Sequence, residues 1–139
     1  MLSALDISTS ALVAQRVRMN AISSNLANLN TPINEQGEAE PYQPRFVVFQ
    51  TDTSVGEGGA AGVKVASVES AQVEPRWKYQ PGHPLAQKDG PHKDYVAYPG
   101  VDMMTEFTDA LEAARSYEAN LGAMEITKDL AQQTLRILA

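Results

Sequence analysis

Leu5, Leu12, Met19 and Leu26 recur at every seventh position in the first part of the chain, and Ile22 and Leu29 each follow one of them at a distance of three. That spacing draws a single apolar stripe along a helix and predicts one from the first residues onward. Ser3 with Asp6 resembles a capping box and Leu2 with Ile7 has the spacing of a hydrophobic staple, so the helix can begin at once. Asn25, Asn28 and Asn30 bring it to an end, because asparagine tolerates left-handed geometry and bonds nearby backbone, while Pro32 disfavours a helical Thr31.

The other face of this helix is small and neutral: Ser8, Thr9, Ser10, Gln15, Asn20, Ser23 and Ser24. A helix wetted on one side normally carries Lys and Glu there, since these are better helix formers than Ser, Thr or Asn. Small polar groups admit close neighbours instead, which predicts a helix contacted on several sides, by other subunits or within a private bundle.

A second, longer pattern closes the chain. Asp102 is placed to cap it, and Ala110, Ala114, Tyr117, Leu121, Met124, Ala131, Leu135 and Leu138 then follow at helical spacing, with Leu111 beside them. No proline interrupts the run after Met103, which predicts a continuous helix of about 55 Å at 1.5 Å per residue. Its alanines would allow the N-terminal helix to approach closely. Glu106, Asp109, Glu112, Glu118 and Glu125 give it a wet, acidic face, so the N-terminal helix is expected further inside any assembly.

Between the helices the period changes. Residues 33–44 form a loop, Phe46 to Phe49 a strand, and Val63, Val65 and Val68 a second strand beyond a glycine-rich connector that starts at Gly56. Trp77 and Tyr79, alternating with Arg76 and Lys78, make a third; Gln80-Pro-Gly-His-Pro84 makes a turn; Tyr95 to Tyr98 makes a fourth. The expected fold class is α+β: long N- and C-terminal helices paired as a coiled-coil-like assembly domain (1–31 plus 102–139), with a small β-rich insert (32–101) protruding from it.

Composition narrows the function classes. The net charge of −6 opposes a nucleic-acid partner, whose phosphates call for Lys and Arg. The chain has no cysteine, hence no disulfide, thiol nucleophile or cysteine metal site. No signal-peptide pattern opens it and no apolar run reaches membrane-spanning length. The glycine connector lacks the Lys-Ser/Thr and the following helix of a phosphate-binding loop. His83 and His92, near Asp89 and Asp94, form the one cluster that could serve a metal or acid–base chemistry; they lie in Pro/Gly turns with no spacing that converges them. The expectation is no catalysis, no cofactor, no metal and no small-molecule substrate.

Ser24-Asn-Leu-Ala-Asn-Leu-Asn-Thr-Pro32 resembles the asparagine-rich signature near the N-terminus of bacterial flagellar axial proteins, with Asn25, Ala27, Asn28, Asn30 and Thr31 as its marks. Further blocks are similar, in order, to the basal-body rod proteins of that family: Pro41-Tyr42 before Val47-Val48-Phe49, Gly62 to Val65, Tyr79 to Pro84, Tyr95 to Pro99, and Ala114 to Asn120. Gln43-Pro44 stands where a basic pair is common, and Pro91 to Asp94 separates Gly90 from Tyr95. The resemblance implies a non-enzymatic subunit of the proximal rod, a tubular drive shaft around the export channel. Its partners would be other copies of itself, other rod proteins and, during secretion, the flagellar type III export apparatus. It would leave the cell without a cleavable signal peptide and assemble in the periplasm. The assembly interface would comprise Leu5, Leu12, Met19, Ile22, Leu26 and Leu29 of the first helix and Leu111, Tyr117, Leu121, Met124, Leu135 and Leu138 of the last. The signature asparagines would satisfy backbone left exposed between packed subunits. The rival reading of the same pattern is a self-contained helical adaptor or export chaperone.

Overall fold

The computed structural model of the chain describes residues 2–55 and 58–138, the side chains of Leu2 and Ser3 excepted. The expected capping box and staple involve those side chains and lie outside the described residues, as does Gly56 of the connector. In chain order the elements are helix α1 (Leu2–Ala27), strands β1 (Arg45–Asp52), β2 (Gly62–Ser70), β3 (Arg76–Tyr79) and β4 (Tyr95–Tyr98), and helix α2 (Met103–Leu138). All six fall where the hydrophobic pattern places them, and the class is α+β.

The strands form two antiparallel pairs, β1 with β2 and β3 with β4. In the first pair Val48 faces Ser67 while Phe49 faces Val65, so Ala66 is an extra residue on β2. This bulge explains why the valine spacing slips from two to three between Val65 and Val68: an inserted residue resets the alternation. The segment 80–94 that joins β3 to β4 opens with a turn at Pro81-Gly82. Gly82 has φ of 85° and His83 N–H donates to Gln80 O at 3.2 Å, the geometry of a type II turn with proline first and glycine second.

The first hairpin is not held away from the helices. It packs along α1, where the Val63 N–H donates to Ser10 Oγ at 3.0 Å. A β-carbon on Gly62 would lie 2.6 Å from that same oxygen, so only glycine lets the strand come this close. Part of the neutral face of α1 is thus covered by the chain's own hairpin: Ser10 lies beneath it, while Asn20 is exposed. The second hairpin touches neither helix through its strands among the described residues. It is tied in by Arg76, which donates from Nε to Pro99 O and from Nη2 to Leu29 O, beside buried Val96, Pro99 and Val101.

Helix ends follow the sequence in position, with one difference in means. Asp102 caps α2 as expected, accepting from Met104 N–H and Thr105 Oγ. At the end of α1 no asparagine adopts left-handed geometry; among the described residues Asp94 is the one non-glycine with positive φ. The helix ends instead through side-chain bonds. Asn28 Nδ2 donates to Ser24 O at 2.9 Å, Thr31 Oγ donates to Asn28 Oδ1, and Thr31 N–H closes a tight turn on Asn28 O.

The core is thin. Its buried apolar residues, among those described, are Ala14, Ala21, Ile22, Pro44, Val96, Pro99, Val101 and Ala113. The chain exposes 9402 Å², about a third more than the roughly 7,000 Å² expected of a compact monomer of this size.

Candidate assembly surface

The two helices run antiparallel, as their polar contacts fix: Asn25 meets Glu106, and Arg18, seven residues earlier, meets Asp109 at 3.7 Å and Glu112 at 3.3 Å. On α1 the inward face is Ala14, Arg18, Ala21 and Asn25, at steps of four, three and four. On α2 it is Glu106, Ala113, Tyr117, Asn120, Met124 and Ala131, half-buried or better throughout. Alanine against alanine brings the backbones together, with Ala113 fully sealed.

Asn25 is the polar centre of this junction and is 2% exposed. Its Oδ1 accepts the Arg45 N–H at 2.7 Å and the Tyr42 hydroxyl at 3.0 Å. Its Nδ2 donates to Arg45 O at 2.9 Å and to Glu106 Oε1 at 3.0 Å. Two donors and two acceptors are the full capacity of the amide. The amide therefore pairs with both polar groups of Arg45 as a neighbouring strand would, and docks the start of β1 on α1. With its proton committed to Asn25, the Tyr42 oxygen accepts from Ser24 Oγ at 3.1 Å. Burial pushes the Glu106 carboxyl above its ordinary pKa; the Asn25 amide opposes the rise and the charge of Asp109 adds to it.

For Asn25 these contacts differ from the expected role, since its amide is filled by groups of its own chain. Asn28 bonds within the helix exit, Asn30 and Ala27 are exposed, and Thr31 is half-buried. Ile22 also differs from expectation: it is 6% exposed, turned into the groove where α1 meets β1, and so is already covered. The remaining α1 stripe behaves differently. At 3.6 residues per turn, Leu5, Leu12, Met19 and Leu26 point well away from the Ala14–Ala21 face, and they are half-buried rather than sealed. Leu29 is half-buried past the helix end.

On α2, Tyr117 and Met124 face α1, whereas Leu111 and Leu121 are exposed. Leu135 and Leu138 are 67% and 79% exposed. Met104, Phe107, Ile126 and Leu130 are exposed apolar residues that the helical pattern alone did not single out. The seam of Ala14, Ala21 and Ala113 was also passed over; the repeat of Ala14 and Ala21 at seven residues was its visible signal. His83 and His92 have local structural contacts: His83 Nδ1 accepts the Leu85 N–H, and His92 stacks on Trp77 with ring centres 4.0 Å apart. No group of three potential ligands that could hold a metal occurs among the described residues, and no described helix is long and apolar enough to cross a membrane.

Comparison with known proteins agrees with this geometry. Residues 5–32 match the family described as flagella basal body rod protein, and residues 92–137 match the C-terminal family of flagellar basal body rod FlgEFG proteins. The two matches coincide with α1 and its exit turn, and with β4 and α2. Over nearly its whole length the chain is similar to flagellar basal-body rod proteins FlgC. It is 39% identical to that of Salmonella typhimurium over 137 residues, covering 99% of this chain and 97% of the relative. It is 39% identical to that of Bacillus subtilis, covering 96% and 95%, and 31% identical to that of Borreliella burgdorferi, covering 98% and 96%. A thin core, a bare apolar helix and likeness along nearly the whole chain lead to one conclusion: the chain belongs to the flagellar basal-body rod proteins and is a structural subunit of the rod, not an enzyme.

Proposed function

We propose that the chain builds the rod by burying, against neighbouring subunits, the apolar helix surface it leaves uncovered when alone. The observation that carries this is α2, where Met104, Phe107, Leu111, Leu121, Ile126, Leu130, Leu135 and Leu138 all face solvent in the single chain. Apolar burial stabilises by roughly 25 cal/mol per Å², so a surface of this kind favours assembly strongly. In this reading the terminal helices (1–31 and 102–139) pair as a coiled-coil-like inner domain around the export channel, and residues 32–101 form its outward part. The interface between subunits draws on Leu5, Leu12, Met19 and Leu26 of α1, on Leu29 just beyond it, and on Leu111, Leu121, Leu135 and Leu138 of α2, while Tyr117 and Met124 serve the pairing of α2 with α1. The partners are further copies of this chain and other rod proteins. The chain is carried out through the flagellar type III apparatus and polymerises in the periplasm.

The test is whether the protein co-purifies with hook-basal bodies after membrane extraction, and whether Leu12→Asp abolishes swimming while leaving expression intact. Normal swimming of that variant would remove the α1 stripe from the interface.

A further inference from the structure

The loop between α1 and β1 is built into an acidic turn. Its base is closed where the Tyr42 N–H donates to Thr31 O at 3.1 Å; within it the Gly37 N–H donates to Asn34 O and the Asn34 N–H to Glu38 O. Asn34 organises the rest. Its Oδ1 accepts the N–H groups of Gln36 and Glu38, and its Nδ2 donates to Glu38 Oε2 at 3.0 Å and to Glu40 Oε2 at 3.1 Å. Two carboxylate oxygens held by one nitrogen cannot lie further apart than the two bonds together, about 6 Å. Residues 35–40 are all exposed, and among the described residues no cation lies within ion-pair distance of Glu38 or Glu40.

Strand β3 presents the inverse. Its alternation puts Arg76 and Lys78 on one face, about 7 Å apart along the strand, and both are exposed. Arg76 commits two of its five N–H groups, to Pro99 O and Leu29 O, and keeps three. Among the described residues neither cation is within ion-pair distance of a carboxylate. With Asn30, Trp77 and Tyr98 they line an open cavity of about 590 Å³, and no acid is among its lining residues. That volume is in the range of pockets that receive a ligand.

We propose that the acidic turn of one copy of this chain, through Glu38 and Glu40, docks on the Arg76–Lys78 ridge of a second copy. Charge and spacing select the occupant: two carboxylates within about 6 Å of each other face two cations about 7 Å apart, and both sets are unpaired in the single chain. Turn and ridge are both moored at the exit of α1, the turn through Thr31 and the ridge through Leu29. The contact therefore runs side by side between the middle segments of neighbouring copies, without the helices. Because it joins two different surfaces, each copy offers both, and the contact propagates into a ring or a helical array. Exposed ion pairs are individually weak, so its part is to fix which side of one copy meets which side of the next. This rests on the reading of the chain as a rod subunit that assembles with its own copies.

A carbodiimide tests this, because it couples a carboxylate to a lysine amine only where the two touch, forming an amide with loss of water, and it leaves guanidinium groups unreacted. Two full chains are produced together in motile cells. One carries Lys78→Arg, which keeps the charge but cannot be coupled; the other carries Glu38→Gln and Glu40→Gln, whose amides cannot be coupled either. Neither chain can form the bond within itself. Basal bodies are isolated and treated, and the joined peptides are identified by mass spectrometry. The expected product is an amide from Glu38 or Glu40 of the first chain to Lys78 of the second, absent from basal bodies built of either chain alone. Its yield should fall roughly two- to fivefold as salt screens the pairs; a yield indifferent to salt would overturn the assignment to charge.

A link that forms in basal bodies of the unaltered chain but disappears in the mixture would be internal to one copy, and would overturn the proposal. Coupling of Lys78 to a carboxylate of a different rod protein would overturn the second copy as occupant. A rise in the melting temperature of the purified chain on adding calcium, lost with Glu38→Gln and Glu40→Gln, would give the acidic turn to a metal ion and overturn it as well. Both chains present in the basal bodies without a link would overturn the contact and leave the rod reading standing, whereas motile cells whose basal bodies lack the chain would overturn both.

Discussion

The helix pair has one finished end and one unfinished end. Near Asn25 each polar group of the junction has a partner, a strand is docked, and Asp102 caps the incoming helix. At the other end Leu130, Leu135, Ile137 and Leu138 stand in water. The difference separates two jobs that a single helix pattern hides. Directional hydrogen bonds set which residues of one chain meet and in what register, while non-directional apolar surface is left for whatever the chain joins.

The sharpest way to break this comparison is at the finished end. Asn25→Leu removes four hydrogen bonds and leaves the Arg45 N–H and the half-buried Glu106 carboxylate short of a partner; at about 1–3 kcal/mol for a buried unsatisfied group and less for one that water reaches, it should cost roughly 2–4 kcal/mol. Urea denaturation of the purified chain measures it, and a loss below 1 kcal/mol would mean that the junction does not hold the monomer together. Gly62→Val should come next, at about 1–3 kcal/mol, because the new side chain must push β2 off Ser10. The same titration checks it, with Gly58→Val, in open space though at positive φ, showing what backbone strain alone costs.

Glu106→Gln tests the electrostatics of the junction. A carboxyl whose pKa is raised in the folded state binds its proton more tightly there than in the unfolded chain. Stability therefore falls as pH rises from the unfolded value through the raised folded one. Glutamine keeps an oxygen for Asn25 and carries no charge, so the variant should be more stable than the parent at neutral pH, and the difference should vanish as pH is lowered below the ordinary carboxylate range. Thermal melts at a series of pH values measure this; a difference independent of pH would show that charge at Glu106 is immaterial.

The smallest effect on the chain itself is expected at the unfinished end. Leu135→Ser should change monomer stability by less than about 0.5 kcal/mol, as exposed substitutions do, yet reduce swimming on soft agar. A substantial loss of stability would show that the end of α2 already packs within the chain.

Sequence and structure part company at recognisable places. The two helices, the four strands, the Asp102 cap and the Pro81-Gly82 turn were legible because each follows from local rules of period, capping or turn geometry. The valine slip on β2 was visible as a broken alternation whose cause, the bulge at Ala66, depends on the partner strand. Asn25 read as a helix terminus since its type and place suit one; that its partners are Arg45, Tyr42 and Glu106 is set by tertiary packing, which no local rule contains. The leucine stripe of α1 was easy to see and the alanine face was not. Large side chains dominate a hydrophobic pattern, although close helix contact is made by small ones. The protruding middle was half legible for the same reason: glycine at position 62 signals close approach without saying to what.

One consequence of the Asn25 junction is mechanical. An alanine seam is smooth, so the register of the two helices rests on the polar side chains that cross it, Asn25 to Glu106 and Arg18 to Asp109 and Glu112. A slip of one residue, 1.5 Å, would lengthen these contacts while the bonds from Asn25 to Arg45 held. Together these side chains act as shear pins between α1 and α2.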